Sequence, residues 1–215
     1  MRVRFRLVPL LLIILLAPAC SSAYYGAMEK FGVHKRDILV DRVEEARDEQ
    51  QEAKETFASA LEQFTAVVGY QGGDLKDQYD KLKSELSRSE DRAKDVTDKI
   101  DSVESVAEAL FEEWEEELGQ YSDPGLKRKS EDQLRETERN YRKMVAAMRR
   151  AESKMEPVLS VFRDQVLYMK HNLNARALAS LSDVASELDS DVAALIKDMQ
   201  ASIDEANAFI SRMES

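Results

Sequence analysis

The chain has 215 residues, with 42 Asp and Glu against 31 Lys and Arg, and only 7 Gly, 4 Pro, 1 Cys and 2 His. At roughly 100–200 residues per domain this is one domain or one elongated unit. So few turn-forming residues exclude a β-sandwich, a βαβ nucleotide-binding fold and a collagen-like segment. A single cysteine excludes a disulfide framework and a Cys-based zinc site, and His34 and His171 are too few for a His-rich metal centre.

The N-terminus reads as a targeting segment. Arg2, Arg4 and Arg6 are followed by the apolar run Leu7 to Leu16 and then by Ala17-Pro18-Ala19. That is the basic, apolar and small-residue order of a secretory signal, assigned to residues 1–19. Ten apolar residues span about 15 Å as a helix, roughly half a bilayer core, so a permanent transmembrane helix is disfavoured.

Cys20, the sole cysteine, directly follows the small-residue site. This resembles a bacterial lipobox, in which the thiol takes a diacylglyceryl group and becomes the mature N-terminus. Ala17, where leucine is usual, and Pro18 depart from that pattern. The alternative is a secreted protein cut at the same bond. Its free thiol would be a liability in an oxidising compartment, which favours lipidation at Cys20. Ser21 follows rather than aspartate, which points to the outer membrane, facing the periplasm. Loss of residues 1–19 removes three arginines and no acid, so 28 bases face 42 acids and the net charge becomes −14. Such a body repels phosphate backbones, and nucleic acid is excluded as a partner.

Residues 20–36 read as the lipidated N-terminus and a tether. Tyr24, Tyr25 and Phe31 suit either the headgroup zone or packing on a helix end. Residues 37–215 read as an all-α fold, an elongated antiparallel coiled coil of four long helices at about 37–68, 75–121, 126–172 and 175–213. The first has an a/d seam at Leu39, Val43, Ala46, Gln50, Ala53, Phe57, Ala60, Phe64 and Val67, polar only at Gln50. Gly72-Gly73-Asp74 supplies a turn and an N-cap, and the second seam runs from Leu75 to Trp114. Pro124-Gly125 ends the second helix.

The third run carries Leu134, Tyr141, Val145, Met148, Met155, Leu159, Phe162, Val166, Met169 and Leu173. Ser130 to Gln133 has capping-box spacing, and Pro157 predicts a kink. Asn172 and Asn174 suit a C-cap and an N-cap, so a turn is expected between the third and fourth helices. Short connections make neighbouring helices antiparallel. This sets the acidic stretch Glu104–Glu117 beside Lys127 to Arg149, each screening the other.

Four blocks then carry a family resemblance: Ala23 to Val40, Ala109 to Glu115, Met155 to Leu159 and Tyr168 to Ala175. In order and content they resemble an uncharacterised bacterial lipoprotein family, domain of unknown function family 2959, over nearly the whole mature chain. The resemblance implies a helical cell-envelope lipoprotein, supports Cys20 as the lipidated residue, and brings no catalytic residues.

No motif for nucleophilic, phosphate-binding or zinc chemistry is present. Lys170 and His171 suit a helix C-terminus, and the Glu112–Glu117 run suits a solvated face better than a calcium loop. The expectation is therefore a non-enzymatic protein without catalytic, cofactor or metal residues and without a small-molecule substrate. It is held to the membrane by its lipid and serves as a periplasmic scaffold, spacer or docking component for a protein partner. The alternative is a membrane-contacting or membrane-shaping helical protein, which the charge of −14 disfavours.

Overall fold

A computed structural model describes residues 34–70, 72 and 74–214. The expected signal at residues 1–19, Cys20 and most of the expected tether lie outside the described residues. Five helices follow in order: α1 (Lys35–Val68), α2 (Leu75–Glu117), α3 (Pro124–Glu152), α4 (Met155–His171) and α5 (Ala175–Glu214), with a 3-10 turn at Leu118–Gln120. No strand occurs among the described residues.

The helices form an antiparallel bundle in which α3 and α4 together make one of four rods. Packing runs in a ring, α1 against α2, α2 against the α3–α4 rod, that rod against α5, and α5 against α1. Polar pairs fix the directions. Glu45 meets Lys99 at 2.8 Å and Gln63 meets Gln78 at 3.2 Å, so α1 and α2 are antiparallel. Arg47–Asn207 at 3.3 Å and Lys54–Gln200 at 2.7 Å make α1 and α5 antiparallel, Lys143–Glu205 at 2.7 Å and Lys154–Asp198 at 2.6 Å do so for the rod and α5, and Arg149–Asp101 and Arg163–Glu90 for α2 and the rod. At 1.5 Å per residue, the 43 residues of α2 span about 65 Å.

The seams explain the core. All nine seam positions of α1, Gln50 included, are buried. Phe64 and Phe162 meet edge to face across the bundle at 5.5 Å, and Tyr141 stands between Phe111 and Phe209 at 5.3 and 6.5 Å. Asp74 caps α2 by accepting from the Lys76 backbone N–H at 2.8 Å.

The third run departs from a single kinked helix. It is interrupted at Ser153–Lys154, and Pro157 occupies the third position of α4. Proline has no N–H to offer the Ser153 carbonyl four residues back, and its ring crowds that oxygen. Both interrupting residues keep right-handed helical angles, so the rod continues in the same direction. Three further boundaries differ. α2 ends at Glu117 rather than near 121. Leu173 leaves the seam and is exposed in the α4–α5 turn. Ser130 is no cap, because Asp123 caps α3, accepting from Gly125 at 2.6 Å and Leu126 at 3.3 Å, with Pro124 at the first position.

Candidate functional site

The two ends of the bundle differ. At the entry end the chain arrives at His34 and Lys35, beside the α2–α3 turn and the end of α5. Lys35 binds Glu113 there at 2.8 Å, and the Trp114 indole N–H donates to Ser130 Oγ at 2.8 Å. Ser130, misread from its spacing as a cap, is thus the acceptor for the only tryptophan. A polar cleft of about 680 Å³ opens between α3 and α5, with Arg36, Lys129, Gln133 and Arg212 at its rim. Acids and bases mix there, with Asp132, Glu136 and Glu214 lining the cleft beside those cations.

Charge pairing departs from the hairpin screening that the sequence suggests. Among the described residues, Arg149 is the one base of α3 with an ion pair to α2, reaching Glu104 at 2.6 Å and Asp101, just before the acidic stretch, at 2.5 Å, as well as Glu152 of its own helix. The Glu104 hydrogen bond, with those of Asp101 and Glu152, holds its guanidinium far above its ordinary range. Lys127, Arg135 and Arg142 instead pair within α3, with Glu131, Asp132 and Glu138. Glu112, Glu115, Glu116 and Glu117 are exposed. Among the described residues no group of three His, Cys, Asp or Glu can hold a metal ion. His34 and His171 lie at opposite ends of the bundle, at the start of α1 and the end of α4.

At the far end the surface changes character. Leu167 is 57 % exposed, Leu173 42 % and Tyr168 39 %, three large apolar side chains within seven residues. Beside them the α2–α4 seam holds two clefts of about 460 and 320 Å³, with the Glu90–Arg163 ion pair at 2.8 Å crossing between them. Sequence reasoning missed these clefts. Their one signal was that Leu167 and Tyr168 fall out of phase with the buried run Phe162, Val166 and Met169.

A family model described as "Protein of unknown function (DUF2959)" matches residues 24–213, almost all of the chain after the cysteine. The chain belongs to the DUF2959 family. No curated protein and no solved structure matches it. Within DUF2959, then, this chain is an antiparallel helical bundle whose two ends carry different chemistry. None of its described helices is long and apolar enough to cross a membrane.

Proposed function

We propose that this DUF2959 protein is a lipid-anchored, non-enzymatic component of the bacterial cell envelope. Cys20 holds it at the outer membrane, facing the periplasm, and the bundle acts as a spacer that docks a protein partner. The observation that carries the reading is the placement of the sole cysteine directly after the basic, apolar and Ala17-Pro18-Ala19 segments. The bundle is in keeping with it. Its seam residues are buried against one another, and the chain enters at one end of a long rod, leaving the other end to stand away from the anchor.

A membrane-contacting role is the second reading, favoured by the exposed Leu167, Tyr168 and Leu173 and opposed by the charge of −14. Liposome co-sedimentation of residues 21–215 separates the two. The anchored-spacer reading expects no binding without the lipid, and persistent binding supports membrane contact. The anchor is tested by Cys20→Ser. The variant is expected in the soluble periplasm if the ordinary signal peptidase still cuts it, and at precursor size in the inner membrane if not. A palmitate analogue should label the wild type alone. Wild-type protein that is soluble and unlabelled ends the proposal.

A further inference from the structure

The mouth of the bundle at the chain's entry holds a second cleft, of about 430 Å³, between the start of α1, the end of α2 and the start of α3. Buried Leu110 and half-buried Trp114 line it, and the Trp114–Ser130 hydrogen bond ties the two helices there. The rest of its apolar lining is open, with Leu126 52 % exposed and Tyr121 42 %. The exposed large apolar side chains among the described residues fall in two groups. Leu167, Tyr168 and Leu173 stand at the far end, away from both chain termini. Tyr121 and Leu126 stand where the chain enters.

The incoming chain meets this cleft directly. Arg36, in the first turn of α1, lines it. The His34 backbone is extended at φ −83° and ψ 149°, so the chain leaves the helix axis there. Val33 and Ile38 hold the position just before the N-cap and the fourth position of the helix, where apolar contact sets the angle of an entering chain. Ile38 is buried. Phe31 precedes His34 by about 10 Å of extended chain, within reach of a cleft that Arg36 already lines. Residues 24–33 contain Tyr24, Tyr25, Met28, Phe31 and Val33, with Glu29 balanced by Lys30. The family model takes in these residues together with the bundle. A plain spacer is polar and has no use for apolar side chains at half of its positions.

We infer that residues 24–33 dock back into the entry cleft, with Phe31 covering Trp114, Tyr121 and Leu126. Of the two settings that the sequence allows Phe31, the headgroup zone and a helix end, this selects the helix end. Burial of apolar and aromatic surface holds the contact, and the short link to α1 keeps the segment at high effective concentration. The docking goes beyond the spacer reading and needs no lipid. Its consequence for an anchored protein does rest on that reading. With residues 24–33 taken up by the cleft, residues 20–23 alone join the cysteine to the bundle, about 14 Å when extended, and the entry end of the rod is held near the bilayer.

The test places a photoreactive phenylalanine analogue at position 31 of the full-length protein in intact cells. The expected product is an internal link, in a species of monomer mass, from position 31 to a peptide within residues 110–133. Leu126→Glu alters a side chain already more than half exposed, so that variant should keep its circular dichroism while the link falls at least about tenfold. Trp114 gives a second readout, because it is the only tryptophan. In purified full-length protein, Phe31→Ser should raise the acrylamide quenching of its fluorescence. No link, a link to lipid, to another protein, to a second copy of this chain or to another face of the bundle, or a link and a quenching unmoved by these substitutions, each overturns the inference. Fractionating the same cells keeps the two proposals apart. Membrane-bound protein without the link fails the docking alone, whereas soluble protein with the link fails the anchor alone.

Discussion

Gln50 is the residue whose chemistry the fold leaves least resolved. It sits on the α1 seam with no exposed surface, and neither its amide nitrogen nor its oxygen has a partner. Ser202 of α5 is equally buried, and its hydroxyl is unpartnered too. The two lie at one level, because Arg47–Asn207 and Lys54–Gln200 bracket them along the α1–α5 seam. A buried polar group without its hydrogen bond costs about 1–3 kcal/mol, and one polar seam position can repay this by fixing register. Gln50→Leu should therefore raise unfolding stability by about 1–2 kcal/mol in a denaturant titration. A fall of that size would mean that Gln50 holds a bond that its surroundings do not show. Tyr141 gives a second residue-scale prediction. Burial, with Glu104 nearby, raises its phenol from 10.0 to about 12. A raised folded pKa contributes stability that is complete below pH 10 and lost as pH climbs towards 12. An ultraviolet tyrosinate titration should show one late component near pH 12, absent in Tyr141→Phe. Full titration of every tyrosine near pH 10 would contradict the packing around Phe111 and Phe209.

At the scale of elements, the break between α3 and α4 is the informative feature. Ser153 N–H still bonds the Arg149 carbonyl at 2.9 Å, while Lys154 N–H turns to Ala151, three residues back, at 3.1 Å. The ladder tightens for one step and resumes, as the missing donor of Pro157 requires. Pro157→Ala should restore a donor for Ser153, raise helical circular dichroism slightly and leave stability equal or higher by up to about 1 kcal/mol. A loss above about 2 kcal/mol would show that the packing of α4 on α2 depends on the break. The helices themselves were legible, because a 4,3 spacing of apolar residues from Leu39 to Val67 admits one buried face. Asp74 was legible as a boundary because capping depends on local chemistry alone, whereas Pro124, read as the end of α2, is the first residue of α3. Ser130 misled for a complementary reason. Its four-residue pattern fits a cap, but Asp123 and Pro124 had already started the helix. The clefts between α2 and α4 were hidden because they are made by two helices some 70 residues apart in sequence, as the 73-residue separation of the Arg163–Glu90 pair shows.

For the molecule as a whole, a rod with α2 about 65 Å long cannot have the dimensions of a sphere. Small-angle scattering of residues 21–215 should give a radius of gyration well above the globular value of about 16 Å. A value near 16 Å would exclude the extended bundle. The rod also separates two environments, with the chain's entry, the acidic end of α2 and the only tryptophan at one end, and the exposed Leu167, Tyr168 and Leu173 at the other. The proposed anchor at Cys20 would give that polarity a meaning, since it would decide which end stands away from the membrane. The most direct measurement is the intact mass of the N-terminal peptide of protein isolated from membranes. The account predicts that the first residue is Cys20, carrying a thioether-linked diacylglyceryl group and an acylated amine. A chain that begins at Cys20 with a free thiol, or that retains residues 1–19, would contradict it.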